Sequence, residues 1–496
     1  MRRCLLWLGL LAMNHAALAV EPRVAGKGHA MQMHKPVDAT AAEAAARARE
    51  TTYQQSGAQV RLLAVLPYGA GVVEHWQLAN GLQIVLAVDA LVPVVAVQSW
   101  LCVGSADEIA GKTGLAHLFE HMMFKSTEAR PAGTLDRVLE QMGGSANAAT
   151  SLDYTFFQET VPSVHVPTVL DMEADRLVNL DLTAAAFRSE LSVVRNERRE
   201  VVDNDPDGQI DETMSELAWG AHPYGHPVIG TEKDLAGLSV ADARQFYQTH
   251  YAAGRTLVVL VGGFDPNALL LEVIQHYGKL PQGPTPQRPT AAIPTGAAQR
   301  SLAIDAGAER LAMAWRLPPG DHADMAALDV LTEMLANGDS TRLARALLYD
   351  KPIASHASAD LNDARLGSLL QIHVTLLPGQ VAKEALARVD ATIKALNGSQ
   401  PMTESELLAA KNRLKMAHFS ALTSVDGRAE QLGHFLAGYG SLQPLLRFSA
   451  DVEAVTVADV QRVAQKYLVA DRRVVVLGEM APPKVAGKRR TGGSKG

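Results

Sequence analysis

Cysteine is nearly missing from this chain: two in 496 residues, Cys4 and Cys102. Cys4 falls in a leader, so the chain beyond it cannot close an internal disulfide, and a fold of this size must be held by its core. Cys102 sits in an apolar, strand-like run and reads as a buried, inert thiol. Aromatic residues are scarce as well, at 5%. Positive charge is in deficit, with 46 Lys and Arg against 53 Asp and Glu and a formal net charge of -7. That balance cannot assemble a broad basic surface, which excludes nucleic acid as an expected partner. The apolar stretch from Cys4 to Met13 is too short for a comfortable membrane span.

What is present is an ordinary globular balance, 47% hydrophobic and 20% charged, at a length that favours two or more domains. Arg2, Arg3, the apolar run and Ala17-Leu18-Ala19 form a secretory signal pattern over residues 1–19. Export is therefore expected, to the periplasm or beyond it, with no stable membrane span after cleavage; an uncleaved anchor is the alternative. Residues 20–62 are Ala-rich and polar and read as a poorly ordered arm, with at most one short helix around Thr40 to Glu50. Residues 482–496 read as a disordered, solvated basic tail.

Between these ends the chain repeats itself. Val240 opens VADARQFYQTHYAAGRTLVVLVG and Val457 opens VADVQRVAQKYLVADRRVVVLG. Each reads as an amphipathic helix, a loop with an Arg (Arg255, Arg472) and a buried strand, at a period of roughly 220 residues. Two strand-like runs and a helix follow Gly81, and a similar order follows Ser301. The Pro-rich residues 282–294 supply a linker. The expectation is a domain over 63–281 and a homologous one over 295–481. The fold class is α+β, each domain a mostly antiparallel sheet with helices on one face.

The chemistry concentrates in Gly114 to Phe124. His117 and His121 are four apart on a predicted helix and project from one face, where one zinc can bind both imidazoles. Glu120 lies beside them and can face the open coordination position as a proton acceptor. The order H-x-x-E-H inverts the commoner H-E-x-x-H motif. Taken alone, two solvated histidines on a helix surface would look the same. A catalytic zinc takes three protein ligands and leaves a fourth place open. The stretch Phe187 to Val201 reads as a charged helix, with Glu190 and Glu197 two turns apart on one face. Spacing does not by itself separate these from solvated glutamates.

At this point the chain resembles the family of pitrilysin, insulin-degrading enzyme and mitochondrial processing peptidase, the inverted-motif zinc peptidases. The resemblance runs from about residue 70 to 481. It implies Glu197 as the third ligand of one zinc per chain and Glu190 as an acidic helper to the catalytic Glu120. Gly144-Ser-Ala-Asn147-Ala-Ala-Thr150-Ser151, with Asp153-Tyr154-Thr155, resembles the family's segment where substrate adds as an extra strand. Asn147 is expected to make a polar substrate contact. His222-Pro-Tyr-Gly-His226-Pro, followed by Ile229-Gly-Thr231, resembles another family segment. Its prolines argue against a helix, so structural roles are expected for both histidines. The implied substrate is a peptide or an unfolded polypeptide.

One departure qualifies this. Active family members carry an Arg and a Tyr seven residues apart after a Ser-Arg-Leu helix in the second half. Here Ser340-Thr341-Arg342-Leu343 matches that helix, and the register then places Leu348 and Ser355 where the pair belongs. Arg342 and Tyr349 have the spacing but not the register. The helix around Leu328 to Leu335 has no His. The second half is therefore expected to lack both metal motif and pair. A related chain could supply the pair in a heterodimer; a homodimer is the other arrangement. A non-catalytic or weakly active subunit of such a peptidase is the rival function, and a zinc hydrolase acting on other substrates is a further one.

Overall fold

The computed structural model describes residues 38–481. The leader, residues 20–37 of the arm and the basic tail lie outside the described residues. Twelve strands form two sheets. The first contains β1 (Val60–Tyr68), β2 (Gly71–Leu78), β3 (Gln83–Val88), β4 (Val94–Leu101), β5 (Ser145–Thr150), β6 (Thr155–Pro162) and β7 (Thr256–Gly262), in the order β1-β2-β3-β7-β4-β6-β5. The second contains β8 (Ala298–Ile304), β9 (Arg310–Leu317), β10 (Ala354–Asn362), β11 (Ser368–Leu376) and β12 (Arg473–Met480), in the order β10-β11-β9-β12-β8. Reading β8 to β12 as the counterparts of β3 to β7 makes the second order that of the first without β1 and β2. In each sheet one pair is parallel, β3 with β7 and β8 with β12, and the rest are antiparallel. The α+β class with two related halves is what the structure has.

The repeated units fold alike for local reasons. Helix Val240–His250 opens with a capping box of Ser239 and Asp242, and helix Val457–Tyr467 with one of Thr456 and Asp459. Each runs through a short 3-10 turn into an interior strand of its sheet, β7 or β12. The Arg expected in each loop reaches a carbonyl on the neighbouring strand: Arg255 binds the Cys102 oxygen and Arg472 the Arg316 oxygen, the latter at 3.3 Å.

Each half packs its own helices on one face of its sheet. In the first half Trp76, Ile84, Val97, Leu101, Phe157, Val258 and Leu260 meet Leu118, Phe119, Val169 and Val194. The opposite face is also covered, by a helix from the other half. Helix Val425–Tyr439 lays Val425, Ala429, Leu432 and Leu436 on Ala96, Trp100, Phe156, Leu257 and Val259. Reciprocally, helix Pro206–Trp219 lays Ile210, Met214, Ala218 and Trp219 on Ala312, Ala314, Val474 and Val476 of the second sheet. This exchange explains why all seven residues of β7 are buried and why its sequence from Leu257 to Val261 is an unbroken apolar run.

The arm reading of residues 20–62 fails from residue 38 onward. Helix Ala39–Gln55 spans 17 residues, starts at an Asp38 cap and buries Ala46 and Tyr53 against the first sheet. Arg49 pairs with Glu74 of β2 at 2.5 Å, and β1 begins at Val60. The helix is Ala-rich and weakly patterned, so its two apolar anchors and its ion pair are tertiary and leave little trace in local sequence. No helix of the described residues is long and apolar enough to cross a membrane.

Candidate metal centre

Helix Leu115–Met122 buries Leu115, Ala116, Leu118, Phe119 and Met122, which leaves His117, Glu120 and His121 on its other side. Helix Ala184–Arg198 starts at a Thr183 cap, buries Phe187, Glu190, Val194 and Arg198, and carries Glu197 in its last turn. It runs directly into a π-helical turn over Arg199–Asp203. The two helices bring one atom each of His117, His121 and Glu197 within 4.8 Å of one another. His117 Nε2 lies 3.9 Å and His121 Nε2 3.2 Å from the two Glu197 oxygens. Ligands about 2.1 Å from a tetrahedral zinc stand roughly 3.4 Å apart, so this donor set fits that ion. The ligand side chains are 12%, 12% and 19% exposed, sheltered but open on one side. It is the group of three such residues found among the described residues.

Electrostatics bind the group together. Burial pulls both imidazoles toward the neutral form, and His117 stays below its ordinary value. For His121 the bond to Glu197 and the carboxylates of Glu120 and Glu190 outweigh burial and raise it. Burial pushes the Glu197 carboxyl up, but the two imidazoles more than offset this and hold it low.

Glu120 stands beside the ligands on the same helix face, and Thr150 at the end of β5 donates to its Oε2 at 2.7 Å. Glu190 is nearly buried and pairs with Lys125 at 3.0 Å, so its bearing on the centre is the charge it adds near His121. Asn147 is exposed on β5, the outermost strand, opposite Gln158. Strand alternation puts it on the Ala149 side, while Thr150 faces Glu120. Sequence reasoning singled out Asn147; the structure brings Thr150 to the acid and leaves Asn147 on the rim.

The placement of the two helices rests on residues the motifs did not announce. Glu108 accepts from the backbone N–H of Gly114 at 2.8 Å and of Ala116 at 2.7 Å, capping the His helix from a loop. Burial pushes its carboxyl up to about 8, although those two amides pull it down. Gly114, with φ +93, touches Gly230: a Cβ on Gly230 would lie 2.6 Å from the Gly114 Cα. Arg198, next to Glu197, donates to the Gly230 carbonyl at 2.7 Å and to Glu212 at 2.8 Å. A strut thus runs from the Glu helix through Arg198 and Gly230 to the start of the His helix. Ile229-Gly-Thr231 was legible as a segment, but nothing in its sequence points to this contact.

His222 and His226 belong to no three-residue ligand group among the described residues. His222 Nδ1 accepts from the Tyr224 N–H at 3.1 Å and its ring lies 4.8 Å from Trp219. His226 sits 3.8 Å from Glu108. Cys102 is free and half-buried, and burial pushes its thiol up. In the second half Arg342 is bound to both oxygens of Glu406 at 2.8 Å, and Tyr349 is exposed and donates to Asp339 at 3.0 Å. Leu348 and Ser355 occupy the positions in register.

Comparison with known proteins agrees with this arrangement. The family profile described as Insulinase (Peptidase family M16) matches residues 83–232, and the Peptidase M16 inactive domain matches 237–414. A Mycobacterium tuberculosis chain described as a zinc protease is 28% identical over 416 residues, covering 83% of this chain and 94% of its own length. The beta subunit of the mitochondrial-processing peptidase of Lentinula edodes is 27% identical over 407 residues, covering 79% and 86%. The crystal structure of a protease from Helicobacter pylori superposes with a TM-score of 0.79 at 28% identity, covering 83% of this chain and 99% of that one. With both halves matched in order and the inverted motif inside the first of them, the chain belongs to the insulinase family, peptidase family M16.

Proposed function

We propose that this chain is a zinc-dependent endopeptidase that hydrolyses peptides or unfolded polypeptides. The observation that carries the reading is the convergence of His117, His121 and Glu197 beside a carboxylate, Glu120, that is not itself part of the donor set. His117, His121 and Glu197 would hold the ion. Bound there, zinc supplies a Lewis acid that makes water nucleophilic at neutral pH. Glu120 takes the proton of the attacking water and returns it to the leaving amine. Thr150 holds the Glu120 carboxylate in place at 2.7 Å. Among the described residues no strand lies beyond the outer edge of β5, so an extended peptide can pair there by its backbone, with Asn147 meeting it from the rim. Glu190 acts at a distance, as a negative charge near His121 that favours a cation at the centre. The signal pattern over residues 1–19 supports export, so that this activity works outside the cytoplasm.

A second reading draws on Arg342 and Tyr349, which are engaged with Glu406 and Asp339. On that reading the chain is the metal-bearing subunit of a heterodimer, and a related chain brings the Arg/Tyr pair. Metal analysis and a peptide-cleavage assay test both. Glu120→Gln is expected to keep zinc and lose cleavage by about a hundredfold or more. His117→Ala and Glu197→Ala are expected to lose zinc. A fully active Glu120→Gln protein would remove the base assignment. Zinc binding without cleavage, with activity appearing only beside a partner chain, would favour the second reading.

A further inference from the structure

The Asp153-Tyr154 segment has no part in the chemistry above, yet it is bonded to Tyr224, Arg288, Arg365 and His434. Residues 151–154 form the turn from β5 to β6, closed by Ser151 N–H to the Tyr154 oxygen at 2.8 Å. This turn meets the turn from β10 to β11, its counterpart in the second half. Asp153, 3% exposed, accepts from the Arg365 N–H at 2.9 Å and from the Tyr224 hydroxyl at 2.6 Å. The Arg365 guanidinium stands 3.3 Å from its other oxygen, and Arg288 of the linker binds the Asp153 carbonyl. Tyr154 hydrogen-bonds His434 Nδ1 at 2.9 Å, and His434 Nε2 faces Asp363 at 3.3 Å. Tyr439 donates to the same Asp363 oxygen. The Tyr154 ring also lies 4.9 Å from Trp100, beneath helix Val425–Tyr439.

β5 is six residues long, is paired on one side only among the described residues, and ends at Thr150, the partner of Glu120. The turn that follows fixes that end. We propose that Asp153 and Tyr154 are positioning residues through which the second half sets the place of the β5 edge, and with it the grip of the site on an extended peptide. This rests on reading β5 as the substrate edge. The half without a metal motif thereby acquires a definite role, in which Arg365, Asp363 and His434 hold the strand against which the peptide is presented. A substitution there is expected to loosen peptide binding rather than metal binding, because the His and Glu helices are anchored elsewhere, through Glu108, Gly230 and Arg198.

The test uses the full zinc-loaded chain and three variants: Tyr154→Phe, His434→Gln and Asp153→Asn. Tyr154→Phe keeps the ring on Trp100 and removes one hydroxyl, so it is the variant that folds if the others do not. Zinc content, hydrogen exchange at the amides of residues 145–150, and KM and kcat on an unstructured peptide are measured. Zinc content is expected to match the wild type. Exchange at β5 is expected to speed up, and KM to rise about tenfold while kcat falls less. Adding Tyr154→Phe to His434→Gln should cost no more than His434→Gln alone, since the His434 change already removes the bond to Tyr154, along with the one to Asp363. Folded variants with unchanged β5 exchange and unchanged KM overturn the proposal, even where their melting points fall. A wild type that cleaves no peptide, alone or beside a related chain, removes the peptidase reading instead; unchanged β5 exchange would still overturn the positioning role.

Discussion

Glu108 caps the His helix across a loop, from six and eight residues before the amides it serves. It lies in a pocket with no exposure of its side chain, near Asp107 and Asp234, and burial pushes its carboxyl from 4.5 up to about 8. A carboxyl raised in the fold favours the proton there. Between those two values the folded chain holds a proton that the unfolded chain has released, so stability falls as pH rises through that window. Glu108→Gln keeps an oxygen for one of the two capping bonds and removes the titration. The wild type is expected to lose melting temperature from about pH 5 to about pH 8 more steeply than Glu108→Gln. The difference between the two curves isolates this carboxyl from the other titrating groups. Parallel curves would mean that the two amides keep Glu108 ionised throughout.

At the scale of elements, what can be read from sequence is what is decided locally. The His helix was legible because its apolar and polar residues separate at helical spacing. The repeated helix–strand units were legible because the stretches opening at Val240 and Val457 match each other, each an amphipathic helix leading into an apolar strand. Helix Ala39–Gln55 was expected only as a short helix around Thr40 to Glu50 in a loose arm, because its anchors, Tyr53 and Arg49, act on partners in other elements. Thr150 and Glu108 were missed for the same reason: each is defined by the atom it meets. The contact of Gly114 with Gly230 belongs to this class and is testable. Gly114 has φ +93, and a Cβ there would stand 2.7 Å from the Ile229 oxygen and 3.2 Å from the Gly230 Cα. Gly133 is also left-handed, at φ +77, but a Cβ there meets nothing within 4 Å. Alanine at either site costs about 1–2 kcal/mol of backbone strain. Only Gly114→Ala must also push the 229–231 loop off the His helix. It is therefore expected to weaken zinc binding about tenfold or more in calorimetric titration, while Gly133→Ala lowers the melting point and leaves zinc affinity alone.

At the scale of the whole molecule, the two halves are separate in sequence and joined in space. Each covers the open face of the other's sheet with one helix, so neither sheet is closed by its own half. Residues 38–281 alone would expose Ala96, Trp100, Phe156, Leu257 and Val259 as one apolar face, which invites aggregation. The closest seam of this exchange is Gly433. A Cβ there would lie 2.0 Å from the Trp100 ring, whereas a Cβ on Gly438 of the same helix meets only a Tyr154 atom at 4.0 Å. Trp100 cannot retreat, because it is fully buried and stacks on Phe156 at 4.2 Å. Gly433→Val must therefore lift helix Val425–Tyr439 from the first sheet. It is expected to destabilise the chain by about 3 kcal/mol or more, while Gly438→Ala gains up to about 1 kcal/mol from helix propensity. Because the helix belongs to one half and the sheet to the other, both halves should lose structure in the same denaturant transition. Two separated transitions in Gly433→Val, followed by tryptophan fluorescence and far-UV circular dichroism, would show that each half stands without the helix lent to it.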